Sequence, residues 1–176
     1  VRHSGDLDRA LELGEQAYKA YETLLGPDHP HALAGRTNYA ITLRLIGRTE
    51  EARDMNTATW DSLRTLLGGQ HPTTLASATN LSADLYELGQ VQDSVDLATA
   101  TLESGRQQLG ESHPLTLATA VNLCLGLRLI GRTEDAESLL TDTVERYVEV
   151  LGEDHPATLA AKEGKGADCD VDPIQI

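Results

Sequence analysis

The sequence predicts an all-α fold, a solenoid of antiparallel helix pairs with about eight helices in 176 residues. Three marks recur along the chain with a shared period of 42 residues. The first mark is His-Pro, at residues 29–30, 71–72, 113–114 and 155–156. The second is Leu-Gly, at residues 25–26, 67–68, 109–110 and 151–152. The third is a glycine followed by acidic residues, beginning at Gly47, Gly89 and Gly131, with a degenerate copy at Gly5.

The composition favours a fold of packed helices, and the net charge argues against two kinds of ligand. Hydrophobic residues make up 40% of the chain but aromatic residues only 3%, so the core must consist of Leu, Ala and Val. The net charge of -14 argues against a nucleic-acid ligand and against an anionic membrane surface. No apolar run approaches the roughly 20 residues of a membrane span. The two cysteines, Cys124 and Cys169, favour free thiols in a reducing, cytoplasmic setting, because a chain of this size needs no disulfide.

Each mark predicts one end of a helix. Proline is tolerated at the first helical position, so His-Pro predicts the start of the first helix of each unit, helix A, with the histidine as its cap. The glycine 17 residues after each proline ends helix A with a left-handed turn, and the acidic residues after it favour the start of helix B. The glycine of Leu-Gly then ends helix B. The predicted helices are 7–25, 30–46, 49–67, 72–88, 91–109, 114–130, 133–151 and 156–164.

The period also divides the chain into units. The predicted repeat domain covers residues 1–165, with a half unit at 1–26, full units at 27–68, 69–110 and 111–152, and a partial unit at 153–165. An acidic tail, 166–176, follows. Because the chain begins at Val1 and neither end carries a polar cap, we interpret it as a piece of a longer or processed protein. The uncapped ends also predict a cover, for which a second copy of the chain, making a homo-oligomer, is one candidate.

Helix B carries an apolar stripe at spacings of 3, 4 and 7 residues, which is typical of a helix packed on one face. This stripe includes Trp60, which we therefore expect in the core rather than in a ligand site.

The sequence of the A helices resembles that of tetratricopeptide repeats. The period alone also fits armadillo and HEAT repeats, but armadillo units have three helices rather than two. Asn38-Tyr39-Ala40, Asn80-Leu81-Ser82 and Asn122-Leu123-Cys124 match the family's Asn-Leu-Gly/Ala stretch, and a glycine follows each Asn after nine residues. The longer element Leu-Gly-x-x-His-Pro-x-Thr-Leu is similar to the kinesin-light-chain subtype; the first unit departs from it at Ala32-Leu33. The resemblance implies a right-handed superhelix that binds a protein or peptide in a concave groove lined by the A helices.

The charge distribution agrees with a groove that differs from the rest of the surface. The four predicted B helices hold 17 acidic residues against six basic ones, whereas the A helices have a net charge of +1. The resemblance places four columns of residues in the groove. They are Asn38/Asn80/Asn122, Ile41/Ala83/Leu125, Arg44/Tyr86/Arg128 and Leu45/Glu87/Leu129.

From these columns we predict a peptide-binding groove. Its candidate residues are Asn38, Ile41, Arg44, Asn80, Tyr86, Asn122, Leu125 and Arg128. The Asn amides can clamp a peptide backbone, because each offers a donor and an acceptor. Arg44 and Arg128 can each pair with a carboxylate. The alternative interpretation is that the Asn residues join neighbouring repeats and that the Arg residues are solvated.

The tail breaks the period, and the segment from Asp168 to Pro173 resembles the end of tetratricopeptide proteins of actinobacteria, which suggests a bacterial source. It is either a frayed terminus or a ligand mimic that occupies the groove of its own or a neighbouring chain. The resemblance leaves two further functions open. One is the sensor or regulatory arm of a larger signalling ATPase or transcription regulator. The other is an accessory protein that presents a precursor peptide to a modifying enzyme.

Catalytic, metal and cofactor sites are not expected. The recurrent histidines occupy equivalent places in repeats about 10 Å apart, too far to share a metal whose nitrogen ligands lie near 2 Å. Cys124 shares a small-residue column with Ala40 and Ser82, and Cys169 has no evident histidine partner. We therefore predict a binding protein and not an enzyme.

Overall fold

A computed structural model describes residues 6–170. Within this range the chain forms eight α-helices, as predicted. They are α1 (Leu7–Leu25), α2 (Pro30–Leu45), α3 (Thr49–Leu67), α4 (Pro72–Glu87), α5 (Val91–Leu109), α6 (Pro114–Leu129), α7 (Thr133–Leu151) and α8 (Pro156–Lys162).

All eight predicted helix starts agree with the structure, because the caps are local. The imidazole Nδ1 of His71 accepts a hydrogen bond from the backbone N–H of Thr73 at 3.2 Å, and His113 does the same for Leu115 at 3.2 Å. His29 and His155 repeat this contact at the starts of α2 and α8. Each histidine satisfies a backbone donor that the first helical turn leaves unpaired.

The ends of α2, α4 and α6 lie one residue earlier than predicted, and α8 ends two residues earlier. At the end of α2, Gly47 adopts a φ of +84°, the left-handed region that glycine enters without strain. The N–H of Arg48 then donates to the carbonyl of Leu43 at 2.9 Å, which closes a Schellman motif and leaves Ile46 outside the helix. Gly164 ends α8 in the same way, with Lys165 N–H donating to the Ala160 carbonyl at 2.9 Å.

The helices form two rows. Each helix packs on its neighbours in sequence, and α4 also contacts α2 and α6, so that the A helices make one continuous inner row. Eleven side chains of α4 are buried, against three of α7, because an inner helix is covered on more than one side. The inner row is therefore the more deeply buried part of the molecule, against which a site can be built.

The outer row is amphipathic and carries the exposed acids. Trp60 of α3 is half-buried, so the prediction that it lies in the core is wrong. The guanidinium of Arg64, one turn later, lies 4.6 Å from the centre of its ring and covers its outer face. Within residues 6–170, no helix has the length and apolar character needed to cross a membrane.

Candidate functional site

A short segment after α8 lies against the inner row. The Schellman turn at Gly164 reverses the chain, and residues 166–170 then run from α6 towards α4, opposite to the order of the repeats. This segment, which we call the docked segment, belongs to the tail that the sequence leaves either frayed or docked. In the structure it is docked in its own chain.

Two asparagines hold the backbone of the docked segment. Asn122 accepts from the N–H of Ala167 at 2.8 Å and donates to its carbonyl at 2.9 Å. Asn80 accepts from the N–H of Cys169 at 3.0 Å and donates to its carbonyl at 2.7 Å. Each amide thus uses its donor and its acceptor on a single residue.

The spacing of these contacts follows from two lengths. An extended chain advances about 7 Å in two residues, and packed helices lie about 8–10 Å apart. One asparagine per repeat therefore meets every second residue of an extended segment. The spacing of the repeats therefore fixes which residues of a ligand backbone the asparagines bind.

Arg44 holds the side chain between the two clamped residues. Its guanidinium contacts the carboxylates of Asp84 and Asp168 and donates to the backbone carbonyl of Asn80 at 3.1 Å. The side chain of Arg44 is 7% exposed and that of Asp168 is 34% exposed. A buried guanidinium therefore meets a carboxylate that is still open to solvent on one side.

Residues of the repeats also hold Arg44, in addition to the docked segment. Asp84, which is fully buried, bonds Arg44 and also accepts from the amide of Asn56 at 2.6 Å. Burial opposes the charge of Arg44, but Asp84 and Asp168 together raise its pKa above the ordinary value. Burial raises the pKa of Asp84, against the opposing effect of the Arg44 charge. Asp84 and Asn56 thus keep the guanidinium in one orientation, aimed into the groove.

A floor of small residues accepts the side chains of the clamped residues. Cys169 is buried against Ala34, Ala76 and Ala118, one alanine from each of three successive A helices. Ala167 packs against the same cluster. Burial raises the pKa of the Cys169 thiol to about 12. The thiol is therefore neutral at physiological pH and serves as a small apolar group.

Open space remains on both sides of the docked segment. A cavity of about 310 Å³ lies between it and the carboxyl ends of the A helices, lined by Arg44, Tyr86, Asn122 and Leu125 among others. A cleft of about 620 Å³ lies on the other side and borders the floor, with Ala76, Ala118, Tyr147, Ala167 and Cys169 among its lining residues. The groove is therefore wider than the segment that lies in it.

The predicted groove residues separate into three groups. The structure brings together Arg44, Asn80, Tyr86, Asn122 and Leu125 around the docked segment. Asn38 is half-buried in the same column, and Ile41 is fully buried. Arg128 is exposed and forms no ion pair with any residue in the range 6–170. The two arginines that look equivalent in the sequence thus have different surroundings.

Two parts of the site were not predicted from the sequence. The alanine floor is itself a column in the 42-residue frame, so a search of the frame for invariantly small positions would have found it. Asp84 occupies a column that otherwise holds Thr42 and Gly126, and Asn56 occupies one that otherwise holds Gly14, Ala98 and Leu140. Two polar residues that replace small or apolar ones in neighbouring columns are the signal for a buried polar network.

The arrangement supports binding rather than covalent chemistry. Burial raises the pKa of Cys124 to about 11, so neither described thiol is ionised at neutral pH. Over the described part of the chain, no group of three or more His, Cys, Asp or Glu side chains is arranged to hold a metal ion.

The chain is similar to known repeat proteins in both sequence and fold. The sequence model of the tetratricopeptide repeat matches residues 1–59 and 73–147. Two solved structures from Podosopora anserina, one of them a single-residue variant, consist of nearly identical TPR-like repeats assigned to a kinesin light chain. Each is 27% identical to this chain and covers 92% of it; the match spans 76% of the variant and 77% of the other, with TM-scores of 0.73 and 0.72.

A third structure, BtubC (BKLC) from P. vanneervenii, is 14% identical, with a TM-score of 0.69 over 89% of this chain and 63% of that one. It shares the fold. No curated protein sequence matches the chain.

Proposed function

Because the chain belongs to the tetratricopeptide repeat family, whose repeats typically mediate protein interactions, we propose that its concave groove binds an extended segment of a protein or peptide partner. The kinesin-light-chain-like repeat type, predicted from the resemblance of the Leu-Gly-x-x-His-Pro-x-Thr-Leu element, and the helical solenoid fold are confirmed. This is a family of interaction scaffolds rather than enzymes.

One observation carries the proposal: Asn80 and Asn122 each close a pair of hydrogen bonds on one backbone residue of an extended segment. Backbone contacts of this kind do not depend on the ligand's side chains, so they suit a groove that receives a segment from another protein. The docked segment is then a ligand mimic, and an external ligand competes with it for the same amides.

The groove also has the charge that the proposal needs. The acidic residues of the B helices lie on the outer row, away from the docked segment. Arg44, by contrast, is buried in the inner row and contacts an acidic side chain of the docked segment. An acidic side chain of a ligand can therefore pair with Arg44 on a protein whose net charge is -14.

Calorimetry tests the proposal with a chain that ends at Lys165 and a synthetic peptide of residues 166–176. We expect saturable binding of one peptide per chain, weakened by Asn80→Ala or Asn122→Ala and unchanged by Arg128→Gln. Circular dichroism checks that the shortened chain keeps its helices. A helical chain that shows no binding of the peptide contradicts the proposal.

The two alternative roles, a sensor arm of a larger signalling protein and an accessory that presents a precursor peptide, stay predictions. Both would use the same groove, so they do not change the experiment. The cytoplasmic setting, the bacterial source and the covering of the solenoid ends by a second copy also stay predictions.

A further inference from the structure

We infer that the groove selects ligands by a three-residue pattern, in which a small residue, an acidic residue and a second small residue follow one another in an extended segment. This inference rests on the proposed function and goes further by naming the chemistry of the partner. In the chain itself the pattern is Ala167-Asp168-Cys169.

The two small positions follow from the alanine floor. Cys169 is 8% exposed and lies against Ala34, Ala76 and Ala118, which are 2%, 6% and 6% exposed. Ala167 packs on the same cluster one repeat further along. A larger side chain at either position cannot sink into the floor, because the floor consists of helix surfaces that cannot retreat. It would have to displace the segment from the asparagines or leave the alanines and turn into the adjoining cleft.

The acidic position follows from Arg44. One terminal nitrogen of its guanidinium, Nη1, bonds Asp84 and the Asn80 carbonyl, and the other terminal nitrogen, Nη2, contacts Asp168. Because the guanidinium is already fixed, an acidic ligand loses little freedom of the protein side chain on binding. An amide in place of the carboxylate would keep the shape but lose the charge-assisted bond.

The order of the three residues follows because the asparagines, one in each repeat, bind every second residue of the segment. Successive side chains of an extended segment point to opposite sides. When two alternate residues are clamped with their side chains on the floor, the residue between them is directed away from it, towards Arg44. Tyr86 and Arg128 hold the equivalent positions in the next two units. The buried acid that pairs with Arg44 comes from the following unit. The corresponding position is Gly126 for Tyr86, and for Arg128 it is position 168, in the tail that breaks the period, so neither has a helical counterpart of Asp84. Of these three positions, Arg44 is the one that is held by a buried acid and pairs with the acidic residue of the segment.

The first test uses the full-length chain carrying Cys124→Ala, a change to the residue found at the equivalent Ala40. Cys169 is then the one thiol, and its rate of alkylation by iodoacetamide at fixed pH measures how often the segment leaves the groove. We expect Asp168→Asn and Ala167→Leu each to raise this rate about tenfold or more. Asp154→Asn, which removes the same charge from an exposed turn, is the matched control and should leave the rate unchanged. Parent rates in both groove-segment variants, or an equal increase in the control, would overturn the inference.

The second test adds ligand in trans to the Asp168→Asn chain, whose own segment is weakened. Three synthetic peptides of residues 164–176 are compared by calorimetry, all carrying Cys169→Ser: one otherwise unchanged, one with Asp168→Asn and one with Ala167→Leu. We expect the unchanged peptide to bind about tenfold more tightly than the other two. Equal affinities overturn the pattern and leave the proposed function standing. If none of the peptides binds although Cys169 alkylates freely, the proposed function fails, and the pattern fails with it.

Discussion

Asn80 and Cys169 are joined by two hydrogen bonds although 89 residues separate them in sequence: the amide of Asn80 donates to the Cys169 carbonyl at 2.7 Å and accepts from its N–H at 3.0 Å. Both groups are buried. The pair ties the docked segment to the second full repeat, so any ligand that uses the amide of Asn80 has to displace this segment.

Replacing Asn80 by alanine should release the docked segment. Two hydrogen bonds contribute about 1–3 kcal/mol together, so the population of the released segment should rise about 5- to 150-fold. The alkylation rate of Cys169 in the Cys124→Ala chain measures this change. Gln70→Ala, which removes an exposed amide outside the groove, is the control. An unchanged rate in the Asn80 variant would show that the two bonds do not hold the segment.

The helices could be predicted closely because their signals are local. His-Pro places a cap and a first-turn proline at neighbouring residues, and the cap contact spans two residues, from His113 to Leu115. The one-residue error at Ile46 arose because a Schellman motif needs a residue between the last helical one and the left-handed glycine. That residue has no distinctive side chain, so its position is seen only in the backbone.

The site could be predicted only in part, because its contacts join distant residues. The 42-residue period aligns Asn80 and Asn122 in one column. No local sequence signal links them to the docked segment, which breaks the period. Arg44 and Arg128 share a column, and only the fold shows that Asp84 and Asn56 surround the first of them. A charge count by helix treated Asp84 as a groove acid, whereas it is the buried partner of Arg44.

The charge of Arg44 should matter for stability far more than that of Arg128. Arg44→Gln leaves Asp84 buried without its cation, which should lower the free energy of unfolding by about 3–5 kcal/mol. Arg128→Gln, at an exposed site, should change it by less than about 0.5 kcal/mol. Urea unfolding followed by circular dichroism measures both. The double variant Arg44→Gln/Asp84→Asn should recover part of the loss, since it removes the unpaired charge; a fully additive loss would contradict the pairing.

A larger side chain in the floor should expel the docked segment while the helices remain folded. In Ala76→Leu the added methyl groups enter the space that Cys169 fills, and overpacking of this kind costs about 1–3 kcal/mol. We expect the alkylation rate of Cys169 to rise about tenfold, with helix content preserved. Ala58→Leu on the exposed face of α3 should leave the rate unchanged. If both variants behave alike, the floor does not contribute to docking.

The histidine caps should be replaceable by another capping residue. His113→Ala removes the acceptor for the Leu115 N–H and should lower the free energy of unfolding by about 0.5–2 kcal/mol. His113→Asn should keep most of the stability, because asparagine caps helices through its side-chain oxygen. Thermal unfolding of the two variants makes the comparison. Equal losses in both would mean that the imidazole acts through packing and not as a cap.

Docking of the tail should weaken in alkali because of Cys169. Its pKa is about 12 when docked, whereas a free cysteine has a pKa of about 8.5. Below about pH 8.5 the thiol is neutral in both states, so it causes no pH dependence. Above that pH the released thiol ionises and the docked one does not, so the docked state is disfavoured by up to about tenfold per pH unit until about pH 12.

Calorimetry at pH 8, 9 and 10 with the chain ending at Lys165 measures this effect. The affinity of the 166–176 peptide should fall about tenfold or more between pH 8 and 10. A peptide carrying Cys169→Ala should lose this part of the pH dependence, while any titration of the protein itself affects both peptides alike. The same fall in both peptides would assign the pH dependence to the protein and not to the burial of the thiol. A difference between them would show that the floor accepts the cysteine only in its neutral form, as a small apolar side chain.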